Sequence, residues 1–315
     1  MNITTLTSTG QQTRAIERPH PLLSVMAWEL RRFRASRLFW LQALGFFCFL
    51  LFLTWAQQAP EQFSTARGTV AISGFVAGTS AWGLLHTLPL SLVLLVLLLP
   101  FVTADGVTRD LSRRTHELLM TTALPTWAYV WGRYLICLLM SLGLALLLLA
   151  AILGMGGLLH LTSSEYPLPP TGAVLLLWVG MVVTATVLVS SLGFALGTLL
   201  PRQSNPVKIV ILLGWIVGAV ILPTAYNNTT PPAWYVNWDP TSAVTARGML
   251  PQYSFGNLIQ TATSEAQFQN AFLAIENKMP DIAGWFAPHL LLAGASLVLV
   301  LVAARAFKRS RDVLN

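Results

Sequence analysis

The chain has 315 residues, of which 55% are hydrophobic and only 10% charged. An ordinary soluble domain is about a quarter charged, so the composition argues against a soluble globular protein and for residence in a membrane. The formal charge of +7 could serve nucleic acid or a membrane surface, and the placement of the charges decides between them.

Residues 1–20 are rich in Thr and Gln, lack periodicity, and read as a disordered cytoplasmic N-terminus. About 38 residues precede the first apolar run, with a polar start and no small-residue cleavage pattern, so no secretory signal is expected. Residues 21–37 follow a different pattern. Leu22, Leu23, Met26, Leu30 and Phe33 recur at helical spacing while Arg31, Arg32, Arg34 and Arg37 take the other faces. This describes an amphipathic helix lying in the inner membrane interface, or equally a juxtamembrane anchor with no other role.

From there Asp, Glu, Lys and Arg are absent from 38–60, 68–104, 134–164, 166–201, 209–238 and 282–304. Each window exceeds the roughly 20 residues that a helix needs to cross the hydrocarbon. Six spans are therefore expected within 38–307, with apolar cores near 39–56, 83–103, 135–159, 173–200, 208–226 and 285–304. The fifth is the shortest signal: the uninterrupted apolar run Ile209 to Leu222 also fits a re-entrant segment. With six spans and both termini inside, Lys and Arg divide 16 inside to 3 outside, and omitting the fifth span changes this to 14 to 5. The positive-inside rule prefers six. Asp and Glu divide 6 to 6, so the excess positive charge belongs to the cytoplasmic side, where it sets orientation and meets anionic membrane lipids. No nucleic-acid partner is expected.

Cys48 and Cys137 both fall inside spans, which makes a disulfide framework implausible. Two outer loops are modest, whereas residues 227–284 form a loop large enough for a small cap. Within it, WYVNWDP (234–240) suits the outer interface. SEAQFQNAFLAIENKM (264–279) reads as a short amphipathic helix, with Ser264 and Gln267 as a capping box and Phe268, Phe272, Ile275 and Met279 on one face. Residues 308–315 form a cytoplasmic tail.

Chemistry-bearing patterns are scarce. His20, His86, His116, His160 and His289 have no metal-ligand spacing, and His116-Glu117 lacks the second histidine of HExxH, so no metal site is expected. Gly78-Thr79-Ser80 and Gly294-Ala295-Ser296 loosely resemble the G-x-S of rhomboid intramembrane proteases, with His86 or His289 as bases. Three-residue matches of this kind arise readily by chance in a chain with 22 glycines. A passive scramblase or channel is the other alternative. Ion-coupled transporters place charged groups in the membrane to bind the driving ion, yet none of the six cores holds one inside its bounds, Lys208 standing at the first position of the fifth. The chain also lacks G-x-x-x-x-G-K-[ST], so no catalytic site and no bound cofactor are expected, and uphill work requires a separate ATPase.

The segment between spans two and three includes RDLSRRTHELLMTTALP (109–125). As a helix over 105–122 it aligns Leu111, Thr115, Leu118 and Thr122 on one side with Leu119 beside them. Asp105 with Arg109, and Asp110 with Arg114, form acid-first i,i+4 pairs. Pro125 stops the helix, and Trp127, Tyr129, Trp131 and Tyr134 mark re-entry through the interface. About 30 residues are used where a hairpin needs a handful.

Here the chain resembles the permease subunits of type 2 ABC transporters, also called type V exporters. These carry between spans two and three a pattern like [ER]-G-T-x-E-L-L-x-x-x-P, then Gly-Lys or Gly-Arg at the entry to span three. Arg113, Thr115, Glu117, Leu118, Leu119, Pro125, Gly132 and Arg133 match it, with Arg114 replacing the usual Gly and Pro125 standing two residues late. The resemblance implies an all-α polytopic fold with six spans, an N-terminal interfacial helix and a cytoplasmic coupling helix at 105–122. Arg113, Thr115, His116, Glu117, Leu118 and Leu119 would dock in a nucleotide-binding ATPase subunit that carries ATP and Mg. It also implies a second permease subunit, identical or homologous, paired through spans one and five, in a bacterial plasma membrane. Gly193 with Gly197 in span four, and Gly214 with Gly218 in span five, are GxxxG pairs suited to close helix approach. The function expected is ATP-driven export of an amphipathic or lipid-like substrate, with Gln42, Thr184, Thr186, Ser190 and Ser191 as the main polar groups within the spans.

Overall fold

Pro21 starts the first helix where its missing N–H costs nothing, and helix α1 runs Pro21–Ala35. The chain then breaks at Ser36, whose hydroxyl accepts from the Phe39 amide at 3.3 Å and caps helix α2, Arg37–Ala56. A computed structural model describes residues 20–57, 78–105, 125–163, 166–200, 203–226, 229–255 and 265–313, with four short strand segments between 59 and 76. Those strands make two antiparallel pairings, Ala59 opposite Val76 and Ser64 opposite Thr69.

The remaining long helices are α3 (Ala81–Thr103), α4 (Thr126–Thr162), α5 (Thr171–Leu199), α6 (Ser204–Thr224) and α10 (Phe286–Val313). Together with α2 these are six helices long and apolar enough to cross a membrane. The chain is an all-α, multi-pass membrane protein, and the short fifth segment is a complete helix rather than a re-entrant turn. Three small helices, α7 (Ala233–Trp238), α8 (Ala243–Met249) and α9 (Glu265–Glu276), lie between α6 and α10.

Helix α5 is the axis of the bundle, packed against α3, α4 and α10, while α1 and α2 lie on α4 and α6 lies on α3 and α5. The apolar sequence of every span leaves this arrangement to shape rather than hydrophobicity, because lipid is as apolar as leucine. Small residues set it. A Cβ on Gly193 would run into Thr103, and one on Gly197 into the Ala104 backbone. The small-residue pair of span four therefore brings α3 against α5 within the chain. In span five the pair divides: a Cβ on Gly218 would stand 2.7 Å from Thr241, and one on Gly214 would meet open space. Helices α2, α6 and α10 leave most of their apolar surface outside the bundle, whereas α3, α4 and α5 are about half buried.

Two spans contain a π turn, Trp178–Val183 in α5 and Val217–Ile221 in α6. The widened backbone in α5 presents the Gly180 carbonyl to the Nδ1–H of His289 on α10 at 3.1 Å. Trp285 closes over the same glycine at 2.7 Å from where a Cβ would stand. That contact explains why no side chain is present there.

The end of the bundle opposite α1 is capped by the small helices. Asp239 accepts from the Thr241 amide (3.0 Å), the Thr241 hydroxyl (2.7 Å) and the Val244 amide (2.7 Å). These bonds hold Ser242 in the left-handed region, φ 62°, just before α8. Phe268 and Phe272 of α9 are buried, and the ring of Phe255 joins Phe272 to Trp82 of α3. Tyr253 donates to the Lys278 carbonyl at 2.9 Å, and burial pushes its phenol up to about 12, so it stays a neutral donor at physiological pH.

One expectation is corrected. Met279 lies beyond the end of α9 and is 55% exposed, because the helix stops at Glu276. Helix α1 turns Val25, Glu29 and Phe33 into the protein and leaves Leu23 on its exposed side. The expected coupling helix, from residue 106 on, the expected disorder over 1–19 and the expected cap at Ser264 lie outside the described residues.

Candidate functional site

Arg113, Thr115, His116, Glu117, Leu118 and Leu119 also lie outside the described residues, but both attachment points of their segment are described. It leaves the bundle after Asp105, at the end of α3, and returns at Pro125, before α4. Each attachment point is tied to another element by charge.

At the α3 end, the Asp105 carboxylate receives Lys208 Nζ at 2.7 and 2.8 Å. Lys208 opens α6, and its ammonium also lies 5.4 Å from the centre of the Phe101 ring. Asp105 thus pairs across to another span, while Arg109, its expected partner along the helix, lies outside the described residues.

At the α4 end the contacts are denser. Arg133 is fully buried and its Nε lies 3.0 Å from a Glu29 carboxylate oxygen, while Arg32 Nη1 lies 2.8 Å from the other. The guanidinium of Arg133 also lies over the rings of Tyr129 (4.4 Å) and Trp28 (5.2 Å). One turn of helix thus presents Tyr129 and Arg133 at i,i+4 to one side of α1. Gly132 lets α1 come this close, since a Cβ there would lie 2.8 Å from Val25. The matched Gly-Arg pair has a clear physical use here: the glycine admits the helix and the arginine fastens it.

The same stretch of α4 contacts its other neighbours. Tyr134 and Ser191 share a hydrogen bond of 2.8 Å that joins α4 to α5. Tyr129 stacks on Phe307 of α10 at 6.1 Å between ring centres. The Cys137 thiol points to the Val102 carbonyl of α3 at 3.5 Å. A displacement entering at Pro125 would therefore be shared by α1, α3, α5 and α10, and Lys208 extends it to α6. A buried carboxylate between two guanidiniums is costly to separate.

The alternative catalytic pairs are not assembled. Ser80 caps α3 by accepting from the Gly83 amide (2.9 Å), and Ser296 donates to the Ala293 carbonyl (2.6 Å). His86 meets the Trp82 carbonyl, and His289 meets the Gly180 carbonyl and Thr245. Neither serine is hydrogen-bonded to a histidine. Among the described residues, no three His, Cys, Asp or Glu side chains are grouped as metal ligands.

A family model described as ABC-2 family transporter protein matches residues 62–305. The chain belongs to that family. No curated protein and no solved structure matches it. The ABC-2 match identifies a transmembrane permease component of an ABC transporter, a class that works with an ATP-binding subunit. It covers residues 105–122 and Arg133 and begins after α1, so the Glu29–Arg133 joint links the matched region to a helix outside it.

Glu29 is the residue of this joint that sequence reasoning missed. Its signal was present: one acid in the middle of an otherwise apolar helical face, and one arginine at the entry of a charge-free span.

Proposed function

We propose that this permease component carries an amphipathic or lipid-like substrate outward, driven by a separate ATPase that docks on residues 105–122. The carrying observation is that both ends of this segment are ion-paired into the bundle, through Asp105–Lys208 and through Glu29–Arg133 close behind Pro125. An apolar knob, Leu118 and Leu119, with Arg113, Thr115, His116 and Glu117 around it, supplies the docking surface. ATP and Mg reside on the ATPase, and this chain contributes no catalytic group and binds no cofactor.

The 16 to 3 division of Lys and Arg supports placing α1, both termini and the segment in the cytoplasm, with 227–284 outside. Helix α1 then lies in the inner interface of a bacterial plasma membrane. The open apolar faces of α2 and α6, Gly214 included, suit a second permease subunit, identical or homologous. Spans whose charged residues lie only near their ends support an apolar cargo; of the span hydroxyls, Thr184 and Thr186 bond their own helix, Ser191 bonds Tyr134, and Ser190 is buried without a hydrogen-bond partner among the described residues.

The purified chain is expected to hydrolyse no ATP alone and to co-purify with its ATPase on co-expression. Sustained hydrolysis by this polypeptide by itself overturns the reading.

A further inference from the structure

Beside the Glu29 joint a cleft of about 560 Å³ opens between α1, the start of α2 and the end of α3. This is within the ~300–1,000 Å³ typical of small-molecule sites. Its walls are apolar on one side, with Phe33, Leu38, Phe39 and Phe101, and Arg32 and Asp105 are its charged groups. We propose that this cleft binds the headgroup of one anionic phospholipid from the inner leaflet, with the start of its chains against the aromatic wall.

Charge selects the headgroup. Glu29 holds a single carboxylate between Arg32 and Arg133, so that triad retains one positive charge. Asp105 adds no net charge because Lys208 neutralises it at 2.7 Å. Arg31 and Arg34 are exposed on α1, and Arg37 is exposed at the head of α2. Arg32 is the guanidinium that lines the cleft, and its side chain keeps 27% of its exposure despite the ion pair. An anionic oxygen there would meet a charge-assisted donor in a site partly shielded from water.

The walls select a lipid over a free anion. Leu38 in the cleft wall, and Trp40 and Leu41 just beyond it, are exposed apolar side chains on α2. A free phosphate would leave the aromatic wall unused, whereas acyl chains cover it and continue into the hydrocarbon. The site also has a position that matters, because Asp105 borders it and leads into the coupling segment. A lipid seated there would tie α1 to α3, as Glu29 ties α1 to α4.

The inner-leaflet assignment rests on the proposed orientation, but the test reads lipid binding and leaves ATPase association as a separate measurement. The full chain, delipidated in detergent, is titrated with phosphatidylglycerol or phosphatidylcholine and read by native mass spectrometry. One phosphatidylglycerol per chain is expected, held about tenfold more tightly than phosphatidylcholine. The double variant Ala35→Trp with Gln42→Trp fills the cleft without changing charge and is expected to lose that lipid. Arg32→Gln is expected to weaken it about tenfold, and Arg34→Gln, the same charge change outside the cleft, by only about twofold. Inorganic phosphate at the same concentration is expected to leave the lipid in place. Retention by the filled variant, equal losses in Arg32→Gln and Arg34→Gln, equal affinity for the two lipids, or displacement by phosphate each overturns the proposal. If the filled variant does not fold, the Arg32→Gln and Arg34→Gln comparison decides alone.

Discussion

Glu29→Ala is the sharpest perturbation of the joint between α1 and α4. The Glu29 side chain is 2% exposed and lies 3.0 Å from Arg133 and 2.8 Å from Arg32, so its removal leaves a buried guanidinium facing another cation. Breaking a buried pair from one side costs about 3–5 kcal/mol, or a factor of roughly 150 to 5,000 in the equilibrium between docked and undocked α1. Hydrogen exchange of the α1 amides over 21–35, measured beside those of α5 as an internal reference, reads this directly. Protection of α1 is expected to fall by about two to three orders of magnitude while α5 is unchanged. Glu29→Met with Arg133→Met, which removes both charges and keeps the volume, is expected to recover most of the protection. Unchanged α1 protection in Glu29→Ala, or a double variant as damaged as the single one, refutes the assignment.

Other outcomes follow from the same geometry. With Cys48 and Cys137 replaced, a single cysteine at Ser8 is expected to be shielded from an impermeant thiol reagent in intact cells, and one at Thr263 labelled; the reverse pattern contradicts the orientation. Gly197→Val forces a side chain into the Ala104 backbone and is expected to cost about 1–3 kcal/mol in thermal unfolding of the isolated subunit. Gly214→Val, which meets open space, is expected to leave that unfolding unchanged and to weaken permease pairing in cross-linking; equal destabilisation by both contradicts the separation of the two glycine pairs.

The spans were legible because lipid imposes one requirement on all of them: about 20 residues without charge. The fifth, the shortest apolar run, was recovered through charge balance, and α6 is a full helix. What the spans touch was less legible. Gly193, Gly197, Gly214 and Gly218 read as two equivalent pairs, and nothing in their spacing told that one seals α3 to α5 while the other straddles an open face and Thr241. The π turn at Trp178–Val183 left no mark either, and the partners it meets, His289 and Trp285, stand about 100 residues away in the chain. Glu29 and Arg133 are separated in the same way. Periodicity places a residue on a face of its own helix, whereas a buried ion pair depends on which face of another helix arrives opposite. Met279 failed for a local reason: the apolar periodicity continued past Glu276, where the helix ends.

The central claim is that residues 105–122 receive the ATPase and pass its motion into the bundle. Leu118→Asp puts a charge into the docking groove and Glu117→Arg inverts a contact, and loss of a buried partner typically costs about 2–5 kcal/mol, roughly 30-fold to several-thousand-fold in affinity. The most direct measurement is co-purification of the ATPase with each variant, alongside transport, with Arg109→Gln as the control because an exposed i,i+4 pair contributes only a few tenths of a kcal/mol. The account predicts that both variants insert and fold but lose ATPase and transport, while Arg109→Gln retains both. Wild-type co-purification and transport in Leu118→Asp and Glu117→Arg would contradict it and reduce the segment to a linker.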